Sequence, residues 1–190
     1  MEQRKYQKIH IVGGAGSGKT TLAKRITEKL GYPGYDLDQI GWSKNGKIPL
    51  SSRLEGVEQI LAQPQWVTEG IYLWWTEKLF EQADLIVWLD LPYRLAAWRI
   101  IKRHVQASLK GDNPHAGLRN LISFVTGVRQ HYHRVAPIIP QGPDDDFAIT
   151  RSAIVQELEK YPGKVVCCQT TKEIGQLQTM LLTASSNSSK

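Results

Sequence analysis

Gly13-Gly14-Ala15-Gly16-Ser17-Gly18-Lys19-Thr20 is the stretch on which the reading of this 190-residue chain turns. It follows the apolar run Lys8–Val12. After it, Leu22, Ala23, Ile26 and Leu30 recur at helical spacing, and Gly31 stands as a stop. A strand, a glycine-rich turn and a helix in this order satisfy G-x-x-x-x-G-K-[ST] in the context that motif requires. The glycines let successive backbone N–H groups turn inward at a helix N-terminus and hold phosphate oxygens. The expected cradle is therefore Gly13, Gly14, Ala15, Gly16, Ser17, Gly18, Lys19, Thr20 and Thr21. Lys19 reaches the β- and γ-phosphates and the Thr20 hydroxyl serves Mg²⁺. The expected ligands are a nucleoside triphosphate and magnesium.

Outward from this turn, short apolar runs alternate with longer helix-period segments, the pattern of a parallel α/β sheet. Strands are predicted at Lys8–Val12, Gly34–Leu37, Trp66–Thr68, Leu85–Leu89 and Lys164–Cys168. Helices are predicted at Thr21–Leu30, Arg53–Ala62, Thr76–Gln82, from Pro92 to Leu109, and over Gly117–Arg134, Arg151–Lys160 and Thr171–Leu182. In the Gly117–Arg134 helix, Leu118, Leu121, Ile122, Val125 and Val128 share one face. Pro137–Asp146 carries three prolines and three successive aspartates, which reads as a solvated loop, and 184–190 as a frayed polar tail. One domain over 1–183 is expected.

A chain that is 41% hydrophobic and 22% charged belongs with ordinary globular proteins, which excludes the disordered and fibrous classes. No apolar run approaches the ~20 residues of a membrane span. The start Met1-Glu2-Gln3-Arg4-Lys5 leads into a strand-like run and not a signal-peptide core. The two cysteines are adjacent, Cys167 and Cys168, and read as buried strand instead of a disulfide. A cytoplasmic protein, monomeric or homodimeric and without a membrane partner, is expected.

The net charge is +6, yet Arg94 to Arg134 holds eight basic residues against Asp112 alone, so this segment is +7 and the remainder −1. Something anionic is met there, and nucleotide phosphates and nucleic acid both qualify. Three acidic positions fall at predicted strand ends, where open parallel sheets place ligands: Asp36 with Asp38, Glu69, and Asp90. The five apolar residues before Asp90 make it the metal carboxylate favoured by pattern alone. The choice depends on which strand lies beside the P-loop strand. Each of these carboxylates also has a plain reading as a strand-end cap.

The P-loop, the Asp36/Asp38 pair, Glu69-Gly70 and the arginine-bearing helix after Pro92 together resemble the nucleoside-monophosphate-kinase superfamily. Leu37-Asp38, Trp66-Val67-Thr68-Glu69-Gly70-Ile71-Tyr72, Leu89-Asp90-Leu91-Pro92 and Trp98-Arg99-Ile100 resemble more closely a bacterial group. Its members are described as adenylate-kinase-related P-loop ATPases or DNA topology modulation proteins. The resemblance covers roughly residues 7–180. It implies a three-layer α/β/α sandwich with a five-stranded parallel sheet in the order 2-3-1-4-5 and a helical lid over 99–134. It puts Glu69 on the metal side and Asp38, with Asp36, facing the acceptor, and leaves Asp90 structural. The expected metal residues are Thr20, Glu69 and Asp36, and the expected acceptor residues Asp38, Arg53, Glu69 and Gly70.

Arg99 and Arg103 are four apart on one helical face, suited to neutralising a transferring phosphoryl group. Arg129 and Arg134 would join them from the returning helix, with Lys110–Pro114 as the lid tip. Lys19, Asp38, Arg99 and Arg103 are the expected catalytic residues. The run Glu69-Gly70-Ile71-Tyr72-Leu73 departs from the Asp-Gly-Phe-Pro-Arg of adenylate kinases, whose arginine holds the acceptor's phosphate. Arg53 could substitute in part, though a surface arginine is the plainer reading. With Asp38 as base, a hydroxyl acceptor becomes plausible. The six tryptophans, all between 42 and 98, read mainly as core. His131 and His133 point apart on a helix, and no cysteine or carboxylate completes a zinc set.

The expected activity is transfer of the ATP γ-phosphoryl group to a small acceptor, nucleotide-like or hydroxyl-bearing. Adenine over guanine follows from the resemblance. The alternative is a nucleic-acid-associated ATPase, in which the +7 segment lies on phosphate backbone. No nucleic-acid-binding signature supports it. A nucleotide sensor is the third reading.

Overall fold

The computed structural model of the chain describes residues 6–110, 117–133, 142, 145, 146 and 149–186. Strands β1 (Lys8–Gly13), β2 (Gly34–Asp36), β5 (Trp66–Gly70), β6 (Leu85–Leu89) and β7 (Val165–Cys168) form one parallel sheet. Two further strands, β3 (Trp42–Ser43) and β4 (Gly46–Lys47), make a small separate hairpin that the sequence patterns did not predict. Counting sheet strands in chain order, the sheet runs 2-3-1-4-5, as expected.

Helices α1 (Lys19–Leu30), α2 (Leu37–Gly41), α3 (Leu50–Leu61) and α4 (Glu77–Gln82) connect the first strands. Helices α5 (Tyr93–Leu109), α6 (Leu118–His133), α7 (Arg151–Leu158) and α8 (Thr171–Ser186) follow. α1 ends where Gly31 takes a left-handed conformation, φ 69°, and its N–H donates to Thr27 O. Alternation along β1 divides the core. Val12 faces Leu37, Val57, Phe80 and Ile86, while Ile9 and Ile11 face Leu22, Ile26, Val87 and Leu177. Both faces of the sheet are thus covered by helices, as buried parallel strands require.

Three expectations need correction here. The apolar face read on α6 is largely open: Val128 is buried, but Leu118 and Ile122 are 70% and 58% exposed. α6 packs along α5 and against α7 instead of on the sheet, so only its C-terminal half meets the core. In β7, at the sheet's edge, Cys168 is buried but Cys167 is exposed, and both are free. Of the tryptophans, Trp66 and Trp75 are core, whereas Trp42 and Trp98 are exposed. α8 continues to Ser186, and residues 187–190, Arg134 and most of the expected lid tip lie outside the described residues.

Candidate active site

The turn between β1 and α1 has the shape its glycines were expected to allow. Gly16 and Gly18 stand at φ 77° and 98°, where a side chain is strained. A Cβ on Gly16 would lie 2.6 Å from Ala96 O, because α5 packs directly on the loop. Arg99 of α5 donates from one terminal nitrogen to Ser17 O at 2.9 Å and reaches Gly16 O at 3.4 Å. It therefore clamps the loop as well as bordering the site. Lys19 Nζ crosses to Gly14 O at a long 3.4 Å. The Ser17 hydroxyl is buried with no partner among the described residues. A nest of this shape, with a lysine held only weakly across it, fits a polyphosphate.

A cavity of about 530 Å³ opens over the loop and is bordered by Lys19, Thr20, Asp38, Glu69, Arg99 and Arg103. Six of the predicted residues thus share one space. Burial lowers Lys19 from the ordinary lysine pKa, opposed by Glu69, Asp38 and Asp36 and reinforced by Arg103. Burial raises Glu69, opposed by the Thr20 hydroxyl that donates to it and by Lys19. Glu69 and Thr20 are therefore neighbours, a carboxylate and a hydroxyl oxygen of the kind that hold magnesium.

The other carboxylates separate by environment. Asp36, register partner of Glu69, caps α2: Oδ1 accepts from Asp38 N at 2.9 Å and Oδ2 from Gln39 Nε2 at 3.3 Å. Asp38 is exposed and accepts from the Tyr72 hydroxyl at 2.8 Å. That neighbour, together with burial, pushes the Tyr72 pKa up, so the phenol stays a donor. Asp90 is held by Arg151 through two hydrogen bonds of 2.7 Å. Both β5 and β6 flank β1, so strand adjacency does not choose between Glu69 and Asp90. Arg151 occupies Asp90, and Glu69 is the one that borders the P-loop cavity.

Gly70 closes against Leu37, whose side chain would lie 2.9 Å from an added Cβ. Arg53 is fully buried and is not the surface arginine of the plainer reading. Its Nε donates to Ile48 O at 2.9 Å, its guanidinium stands 5.3 Å over Trp75, and Asp146 Oδ2 lies 3.6 Å away. Lys47 pairs with the same Asp146 oxygen at 2.8 Å. Asp146, read as part of a solvated run, is therefore buried and partnered. Arg129 faces away from the P-loop cavity, beside Thr126 and His133. A further cavity of about 380 Å³ lies on the other side of Arg99, between Gly18, Thr21 and Arg25 of the loop and α1, and Ile174 and Gln178 of α8.

The same fold occurs in solved structures. A shikimate kinase from Acinetobacter baumannii, in complex with shikimate, superposes with a TM-score of 0.54 at 18% identity, covering 97% of this chain and 96% of that one. The chain has the fold of that kinase. No family profile matches it. Among curated proteins, the chain shares 35% identity over 111 residues with a cytidylate kinase of Pyrococcus horikoshii, covering 50% of this chain and 56% of that one. It shares 28% over 175 residues with a cytidylate kinase of Thermococcus sibiricus, covering 80% and 89%. The chain spans 62% and 56% of the length of two of the curated relatives it matches.

Sequence reasoning missed Tyr72, Lys47 and Asp146. Tyr72 stood in the quoted run after Glu69 but gave no charge signal. Lys47 and Asp146 are about a hundred positions apart, and no local pattern links them.

Proposed function

We propose that this chain is an ATP-dependent phosphotransferase acting on a small acceptor, with 99–134 as its lid. The observation that carries the reading is the meeting of Asp38 with Lys19, Glu69, Arg99 and Arg103 in one cavity over the P-loop. The kinase relatives support it. The triphosphate chain lies in the loop from Gly13 to Thr21, and the nucleoside in the cavity between Arg99 and α8. Thr20 and Glu69 would hold magnesium, which would supply positive charge beside the phosphates. Asp36 contributes by its charge alone, since its oxygens cap α2.

The acceptor hydroxyl attacks the γ-phosphorus. Its oxygen bonds to phosphorus, the bond from phosphorus to the β–γ bridging oxygen breaks, the hydroxyl proton passes to Asp38, and ADP leaves. Tyr72 fixes the Asp38 carboxylate from its other side. Lys19, Arg99 and Arg103 offset charge on the transferring group. Arg53 is committed to Ile48, Trp75 and Asp146 and supports the acceptor side by position, not as a free anion receptor.

The deciding experiment measures ADP release from Mg²⁺–ATP with nucleoside monophosphates, nucleosides, small alcohols and duplex DNA, with Lys19→Ala as the blank. Stimulation by a small acceptor, with a product heavier by one phosphoryl group in mass spectrometry, is expected. Stimulation by DNA alone, lost at high salt, would replace this reading with the nucleic-acid-associated ATPase.

A further inference from the structure

A third cavity, about 500 Å³, opens between α6 and the P-loop. It shares Ala15, Ile71 and Phe124 with the phosphate cavity, so the two adjoin across these residues. Val128 and Ile149 add apolar wall, while Ser123, Gln130 and Thr150 are neutral. Among the described residues lining it, His131 and Asp146 are the titratable ones and none is a lysine or arginine. The Asp146 charge is already met by Lys47 and Arg53.

His131 is fixed by its ring geometry. Nδ1 lies 3.0 Å from Ile149 O, and a carbonyl only accepts, so Nδ1 carries the proton and Nε2 presents a lone pair. Nε2 lies at the P-loop, 3.0 Å from where a Cβ on Gly14 would stand. Burial lowers the His131 pKa from its ordinary value. Lys19 and Arg151 reinforce this, while the Ile149 carbonyl and Asp90 oppose it. Among the described residues the wall therefore offers a hydrogen-bond acceptor and no cation.

We propose that this cavity is the acceptor pocket and that the acceptor is a neutral, hydroxyl-bearing molecule with an apolar body of nucleoside size. One hydroxyl donates to His131 Nε2, and another passes Ala15, Ile71 and Phe124 toward Asp38. The inference rests on the phosphotransferase reading and narrows it. A pocket of this volume, mostly apolar with a few placed polar groups, suits such a ligand. Against the described wall, a phosphate or carboxylate would lose its water without a lining cation to replace it, a large cost. Gly14 has no side chain to screen His131 from the loop, which keeps the two cavities in reach of one ligand.

Calorimetry on the full chain with saturating Mg²⁺–ADP tests this with matched probes: adenosine against adenosine monophosphate, cytidine against cytidine monophosphate, and inositol against inositol monophosphate. Neutral members should bind at least about tenfold more tightly than their phosphorylated partners. Val128→Arg, which puts a guanidinium in the wall, should reverse that preference. His131→Phe should weaken neutral binding about fivefold, and His131→Gln should restore part of it. Tighter binding of the phosphorylated partners to the wild type overturns the proposal, as does binding of no neutral probe. If Val128→Arg fails to fold, neutral binding unaltered by His131→Phe overturns it as well. Mg²⁺–ATP binding is measured beside these. If it is present, only the neutral pocket falls; if it is absent, the phosphotransferase reading falls too.

Discussion

Acidification should unfold this protein partly through one histidine that does not border the P-loop cavity. His10 lies in β1, fully buried, with Nδ1 2.8 Å from Thr68 Oγ1 on β5 and its ring edge-on to Phe80 at 4.4 Å. Its Nε2 has no hydrogen-bond partner among the described residues. Burial alone pushes its pKa from 6.5 to about 3. The folded state thus holds His10 neutral while the unfolded chain takes up a proton below 6.5, so stability present above that value is lost as pH falls toward 3. One pH unit of this linkage is about 1.4 kcal/mol. Going from pH 7.5 to 5.5 should remove about 1 kcal/mol, and going on to 4.5 about 3 kcal/mol in all.

Urea denaturation at these three values measures it. Other groups titrate in the same range, so the comparison is with a variant carrying His10→Val and Thr68→Val together. This exchanges both partners of the hydrogen bond and leaves neither hydroxyl nor imidazole stranded. The wild type should lose more stability than the variant by the amounts above. Equal pH slopes in the two proteins would refute the claim that His10 is neutral in the fold.

Gly16→Ala should cost about 2–4 kcal/mol, from a left-handed backbone and a Cβ facing Ala96 O. Denaturant unfolding checks it, and a loss under about 0.5 kcal/mol would mean α5 does not pack on the loop as described. Asp90→Asn should destabilise by about 1–2 kcal/mol, discounted because Arg151 is 42% exposed, and leave Mg²⁺ dependence intact. Glu69→Gln should do the reverse, weakening Mg²⁺ dependence of nucleotide binding without lowering stability. A titration in which Asp90→Asn is the variant that loses Mg²⁺ would exchange their roles.

The strand, glycine turn and helix around Gly13–Thr20 were legible because they depend on neighbours within a few residues: apolar period, φ freedom and the absence of side chains. The five strands and most helices were legible for the same reason, since burial of one face imprints a period on the local sequence. The roles of the charged residues were not. Glu69 and Asp90 follow apolar runs on the two strands that flank β1, and the longer run even favours Asp90. What separates them is Arg151, 61 positions after Asp90 in the chain, arriving from α7. Arg53 reads as a surface residue until Trp75 and Asp146 close over it. His131 has no pattern at all until Ile149 O orients its ring beside Gly14. Backbone shape answers to short-range sterics and periodic burial, which a sequence carries directly. Charge state and pairing answer to distance and desolvation in space, which exist only once the helices have packed.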